Sequence, residues 1–259
     1  MLRPGKADED KFERSKRIGW LKLDSVFEAR AMIVGAGALG NEVAKNLLLS
    51  GFRRITIVDM DHVVGSNLNR CLFFSKRDAE SRRMKAEVVA RGLSAMSDDV
   101  DPVPLVGRVE DVPDSTLKRQ SVILGCLDNI QSRVNVNSRA YSHGRTYIDG
   151  GMVGFVGKVM IAKPPGACLQ CGMNRSHAKV AGLRFSCTGR DVVFHEPRLA
   201  AEITTTSVIS AVMVREALKV VSERPDLMLA NSFYYDGQRN VAEEMEIPLD
   251  PMCPVHQRS

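Results

Sequence analysis

The chain has 259 residues, 44% hydrophobic and 26% charged, which suits one large α/β domain or two small ones with ample material for a buried core. A net charge of +5 with no run of five like charges argues against nucleic acid as a partner, and no apolar window reaches the 18 residues a membrane-spanning helix needs. The first eleven residues are charged and carry no secretory pattern, so the expected compartment is the cytoplasm, and six cysteines including one C-x-x-C pair point to metal or redox chemistry rather than a disulfide framework.

In chain order, positions 1–30 read as a polar arm and a short amphipathic helix carrying Trp20, Leu21, Leu23, Val26 and Phe27. Strand-like apolar runs follow at 31–34, 55–58, 121–126, 146–148 and 158–161, with helix-period segments at 40–50, 84–96 and 130–141 between them. Strands alternating with helices predict an α/β fold with a parallel sheet and crossover connections. Pro164, Pro165, Gly166 and Gly182 break any regular pattern over 163–200, which reads as a long loop of the kind compact domains reserve for function. Positions 207–221 read as a buried helix, and 232–247 alternate about Asp236-Gly237, a hairpin signal. The expected division is an arm and helix at 1–30 and one domain at 31–259, with a loop at 172–200 and a tail at 248–259.

The first apolar run enters Gly35-Ala36-Gly37-Ala38-Leu39-Gly40 and then a helix. Glycines permit the tight turn and let backbone approach a phosphate, while the helix N-terminus offers free N–H groups and a positive dipole end. Asp59 ends the next strand, where a carboxylate can accept hydrogen bonds from ribose hydroxyls. This fingerprint alone leaves NAD and ATP both open. The segments Asp59-Met60-Asp61, Ser66-Asn67-Leu68-Asn69-Arg70, Met84-Lys85-Ala86 and Leu127-Asp128-Asn129 suit a triphosphate better: Arg70 and Lys85 can neutralise phosphate oxygens, and Asp128 can hold Mg²⁺. Taken singly, each cation also reads as a solvated surface group. Asp128-Asn129 also reads as the cap of the next helix, and capping and metal binding are compatible.

Cys168-Leu169-Gln170-Cys171 and Cys253-Pro254-Val255-His256 each supply two ligands three positions apart, the spacing a tetrahedral Zn²⁺ shares. Such a staple would tie the base of the long loop to the C-terminal tail. A redox C-x-x-C pair and plain buried cysteines are the competing readings.

In this order the segments resemble the ubiquitin-activating enzyme superfamily, which includes the adenylyltransferases of sulfur-carrier proteins, and the resemblance runs from Phe12 to His256. It implies a Rossmann-like, doubly wound, mostly parallel sheet with a C-terminal antiparallel hairpin, a zinc staple and a long crossover loop. It implies that Gly35, Gly37, Ala38 and Gly40 form the ATP turn and that Asp59 meets the ribose. By the same likeness Asn67, Arg70 and Lys85 contact phosphates and Asp128 serves Mg²⁺, with Asp61 and Asn129 beside them in the nucleotide site. The run from Ile148 through Gly150-Gly151 to Phe155 resembles the family's next strand and turn, near the carrier's Gly-Gly tail. Lys11-Phe12-Glu13-Arg14 resembles an arm whose final arginine reaches a partner's ATP, which implies that Arg14 acts in trans in a homodimer. Cys187, in Phe185-Ser186-Cys187-Thr188, resembles the cysteine that takes the carrier as a thioester; an unreactive loop cysteine or a redundant metal ligand is the alternative. Departures are Cys71 where many relatives carry Gln, Ser81-Arg82-Arg83 before the lysine, and His256 in place of a fourth cysteine.

The expected function is ATP-dependent activation of a ubiquitin-like protein ending in Gly-Gly, with ATP, Mg²⁺ and Zn²⁺ bound and a conjugating enzyme as a further partner. The chain is expected to lack a separate large cysteine domain and a C-terminal ubiquitin-fold domain. The alternatives are a sulfur-carrier adenylyltransferase without an enzyme thioester, an inactive scaffold subunit, and an NAD-dependent oxidoreductase.

Overall fold

A computed structural model describes residues 10–173 and 200–256. Its frame is one eight-stranded sheet in the order β3-β2-β1-β4-β5-β6-β7-β8. The strands are β1 Arg30–Val34, β2 Arg54–Asp59, β3 Asp101–Val106, β4 Val122–Gly125, β5 Thr146–Val153, β6 Val156–Ala162, β7 Ser232–Asp236 and β8 Val241–Met245. The first five run parallel, and β6, β7 and β8 continue the sheet antiparallel. The order reverses at β1, which lies between β2 and β4. Open α/β sheets bind ligands at such a reversal, beyond the carboxyl ends of the strands.

Helices cover both faces. The longer ones are α2 Ala38–Ser50, α4 Lys85–Met96, α6 Ile130–Ser142 and α7 Ile203–Val221, and α1 Leu23–Glu28, α3 Lys76–Glu80 and α5 Asp114–Lys118 are short. Alternate strand residues point to opposite faces. Ala31, Ile33, Ile55, Ile57, Val122 and Leu124 therefore meet one apolar layer that takes in α2, α4 and α7, with Val43, Leu47, Val89, Leu93, Ile209 and Met213 buried there. Met32, Val34, Val58, Ile123 and Tyr147 meet the other, with Val136 and Ala140 of α6 and Leu117 of α5. Strands buried on both sides read as unbroken apolar runs, which is why β1, β2 and β4 are plain in the sequence.

The expected α/β fold with a C-terminal antiparallel hairpin is present, and the structure adds detail. β3 carries no apolar run and was not expected. The Asp101 N–H bonds the Arg53 carbonyl and the Gly107 N–H bonds the Asp59 carbonyl, so the odd positions face β2. Pro102 and Pro104 thus fall where no ladder donor is needed, on an edge strand where proline is tolerated. The short runs at 146–148 and 158–161 prove to be the ends of one long hairpin, β5–β6, turning at Gly154 with a left-handed φ of +58°. α7 takes in the 207–221 run and opens at Ile203, where the Glu202 carboxylate caps it by accepting the Thr204 and Thr205 N–H groups.

Candidate active site

The glycine turn lies between the carboxyl ends of β2 and β4. The Gly35 N–H donates to the Val58 carbonyl (2.8 Å) on one side, and the Cys126 N–H donates to the Val34 carbonyl (2.7 Å) on the other. Gly35 has φ +96°, and a Cβ there would meet the Cys126 carbonyl oxygen at 2.5 Å. Gly40 packs the start of α2 onto the turn, where a Cβ would lie 2.0 Å from the Gly35 oxygen. Gly37 is different: a Cβ there would meet nothing within 4 Å. The space over Gly37, at the N-terminus of the 13-residue α2, is open to a phosphate.

Asp59 braces this turn. One carboxylate oxygen accepts the Ala36 N–H (2.6 Å) and the other the Asp61 N–H (2.7 Å). Burial pushes its pKa up, and the positive charge of Lys85 pulls the other way. Lys85 opens α4, is largely buried, and reaches Asp61 with its Nζ 2.8 Å from Oδ2. Asn67 ends a 3-10 turn, Gly65–Asn67, and its Oδ1 accepts the Val64 N–H (3.1 Å). Arg70 is half-buried and folds onto its own loop, Nη1 donating to the Ser66 carbonyl and to Asn69 Oδ1 (2.9 Å). Arg70, Lys85 and Asp59 all bear electrostatically on the buried Cys71 thiol beneath them, but desolvation dominates and lifts that thiol to about 11. Cys71 is thus a packing residue, and Cys126 is another, its thiol also pushed up by burial.

Asp128 follows β4 on the far side of the turn from Asp59, two strand spacings or about 10 Å across the sheet. It is exposed, and no side chain among the described residues hydrogen-bonds its carboxylate, which leaves hard oxygen ligands for a cation such as Mg²⁺. Asn129 is the helix cap: its Oδ1 accepts the Ser132 N–H (2.8 Å) at the start of α6. The structure therefore gathers Gly35, Gly37, Ala38, Gly40, Asp59, Asp61, Asn67, Arg70, Lys85, Asp128 and Asn129 around the carboxyl ends of β1, β2 and β4.

Two expected residues remain. Cys187 lies outside the described residues. Arg14 is exposed on the arm, which packs through Phe12 against Phe27 (ring centroids 5.0 Å) and beside Gly51, Phe52 and Arg53, just ahead of β2. Lys11 of the same arm pairs with Asp99, just ahead of β3. The arm thus sits at the amino ends of β2 and β3, about 20 Å of strand away from its own glycine turn.

Cys168, Cys171, Cys253 and His256 converge, with their ligand atoms all within 4.8 Å of one another. The Cys168 and Cys253 sulfurs are 3.7 Å apart, those of Cys168 and Cys171 are 3.9 Å apart, and the Cys171 sulfur is 3.1 Å from His256 Nε2. Four ligands about 2.3 Å from a central zinc would place sulfurs roughly 3.8 Å apart, whereas a disulfide would draw two of them to about 2.05 Å. The donor set and spacing fit a closed structural zinc site.

One buried polar group was not anticipated. Arg133, on α6, donates from Nε and Nη2 to the Leu127 carbonyl (2.9 and 2.5 Å), from Nη2 to the Gly150 carbonyl (3.1 Å), and from Nη1 to Asp149 Oδ2 (2.9 Å). The Tyr147 hydroxyl donates to Asp149 Oδ1 (2.7 Å). Burial raises Asp149, and Arg133 opposes that rise. The available sign was Tyr147-x-Asp149 in an apolar strand: both side chains point to one buried face, so the acid needs a partner.

Comparison with known proteins places the molecule. The profile of the ThiF family matches residues 12–255. The chain belongs to the ThiF family. It is 30% identical over 165 residues to a NEDD8-activating enzyme E1 catalytic subunit of Schizosaccharomyces pombe, an alignment covering 61% of this chain and 37% of the relative. It is 34% identical over 149 residues to the sulfur carrier protein ThiS adenylyltransferase of Bacillus subtilis, covering 56% of this chain and 44% of the relative. The chain thus spans less than half the length of these curated relatives. Among solved structures, E. coli MccB with succinimide superposes with a TM-score of 0.76 at 19% identity, covering 97% of this chain and 76% of that one. E. coli MccB with ATP superposes at 0.74 and 18%, covering 98% and 76%. These ThiF-family and E1-type likenesses agree with the superfamily expected from the motifs. No helix among the described residues is long and apolar enough to cross a membrane.

Proposed function

We propose that this ThiF-family protein uses ATP to adenylate the C-terminal glycine carboxylate of a small ubiquitin-like protein and then takes the acyl group on Cys187 as a thioester. The observation that carries the reading is the ring of Asp59, Lys85, Asp61, the Asn67–Arg70 segment and Asp128 around the open glycine turn, which has more charge than a dinucleotide needs. In the first step a glycine carboxylate oxygen attacks the α-phosphorus in line, the bond to the β-phosphate oxygen breaks, and pyrophosphate leaves. The N–H groups at the start of α2, together with Lys85 and Arg70, offset charge on the phosphates, and a second copy's arm supplies its own arginine to the same site. Asp128 would hold a magnesium ion, which would supply further neutralisation of phosphate charge. In the second step the Cys187 thiolate attacks the acyl carbon and AMP leaves, forming the thioester.

Carrier-dependent exchange of pyrophosphate into ATP tests the first step: Asp128→Ala should lower it by on the order of 100-fold or more. Wild-type exchange rates in that variant would defeat the site assignment. Cys187→Ala should keep the exchange and abolish a thiol-sensitive conjugate. The sulfur-carrier reading, supported by the 34% identity to the ThiS adenylyltransferase, expects exchange but no such conjugate in either protein.

A further inference from the structure

Arg133 spends its planar fork on two different segments, and its acceptors explain why a lysine would not serve. Two of its N–H groups converge on one carbonyl oxygen, that of Leu127, the residue just before Asp128. The other contacts hold the guanidinium itself: Asp149 Oδ2 at 2.9 Å and the Gly150 carbonyl at 3.1 Å, both on β5. Asp149 is in turn held by the Tyr147 hydroxyl, which reaches it over Gly125; a Cβ at Gly125 would lie 2.0 Å from that hydroxyl oxygen. Gly151 gives way likewise, since a Cβ there would lie 2.8 Å from the Arg133 fork. A carbonyl gripped by two N–H groups fixes the plane of the 127–128 peptide and with it the N–Cα axis of Asp128, about which the side chain is set once the following peptide is also held. Asn129 clamps the other side of Asp128 to α6 through its cap. Asp128 is therefore an exposed carboxylate on a backbone locked from beneath.

We propose that Arg133 is the positioning residue of the site, orienting Asp128 toward the magnesium ion of the bound nucleotide, with Asp149 and Tyr147 as its supports. The inference rests on the adenylation reading. Residues that orient a metal ligand typically change metal affinity by about 10- to 100-fold when altered, with little effect on groups that bind the rest of the ligand.

The test is ATP binding by titration calorimetry on the intact protein, once with Mg²⁺ and once with EDTA, with the thermal midpoint followed in parallel. Arg133→Lys keeps the charge and loses the fork. It should lose about 10-fold or more of the Mg²⁺-dependent gain in ATP affinity while the affinity in EDTA stays within about two-fold of wild type. Tyr147→Phe, which keeps the ring and leaves Arg133 intact, should lose a smaller part of the same gain and serves if Arg133→Lys does not fold. An unchanged Mg²⁺-dependent gain, or equal losses with and without Mg²⁺, overturns the proposal. A wild-type protein that ignores ATP under both conditions overturns the adenylation reading instead.

Discussion

Gly40 and Gly37 stand three residues apart and answer to different demands. Gly40→Ala would force a methyl group onto the Gly35 carbonyl, so α2 must move; the expected cost is about 1–3 kcal/mol, seen as a lower thermal midpoint together with weaker ATP binding. Gly37→Ala meets no protein atom, so its melting should match wild type while ATP affinity falls, because the methyl group occupies the phosphate's approach. A pair of melts and titrations separates the two. Glu202 offers a test by pH. Burial disfavours its charge, but hydrogen bonds from the Thr204 and Thr205 hydroxyl and N–H groups outweigh that and hold it at about 2, below its ordinary 4.5. A depressed carboxylate stabilises the fold above the unfolded value and loses that contribution as pH falls through the folded one. The cap should therefore weaken between pH 4.5 and about 2, and Glu202→Gln should flatten that part of the stability profile measured by urea melts. Asp59, Lys85 and Asp128 were readable one by one because each follows or opens an element the apolar pattern marks. Arg133 was not, since nothing in sequence ties it to an aspartate 16 residues later until the register of β4 and β5 is known.

Among the elements, α6 joins two centres. Arg133, Asn137 and Tyr141 recur every four residues along one face. The first grips the Leu127 carbonyl, Asn137 Oδ1 accepts the Leu169 N–H (2.9 Å), and the Tyr141 hydroxyl donates to the Gly166 carbonyl (2.8 Å) while its ring stands edge-on to His256. The cluster of Cys168, Cys171, Cys253 and His256 therefore rests on the helix that Asp128 immediately precedes. Purified protein should hold about one zinc per chain, and a strong chelator or Cys253→Ser should lower the thermal midpoint by about 10 °C or more, with metal content read by emission spectroscopy. A metal-free protein with an unchanged midpoint would remove zinc from the structure's supports. The staple's spacing was legible because ligands at positions i and i+3 are a local signal. β3 was not, because an edge strand with two prolines has neither the apolar run nor the alternation that marks its neighbours.

At the scale of the whole molecule, the alternation of strands and helices was enough to forecast a parallel sheet, while its order, and with it the reversal at β1, depends on pairings between strands far apart in the chain. The same sheet separates Arg14 from the turn of its own chain. If two copies form each working unit, a mixture of Arg14→Ala and Asp128→Ala proteins should recover about a quarter of wild-type exchange. Random pairing makes half the dimers mixed, and each mixed dimer has one whole site of two. No recovery would confine each site to one chain.

That separation carries a kinetic consequence. If a second copy's arm completes each site, turnover per chain should hold steady at high concentration and decay on dilution below the point where pairs come apart. Catalytic output would then track the abundance of the protein more steeply than in simple proportion, making expression level itself a throttle.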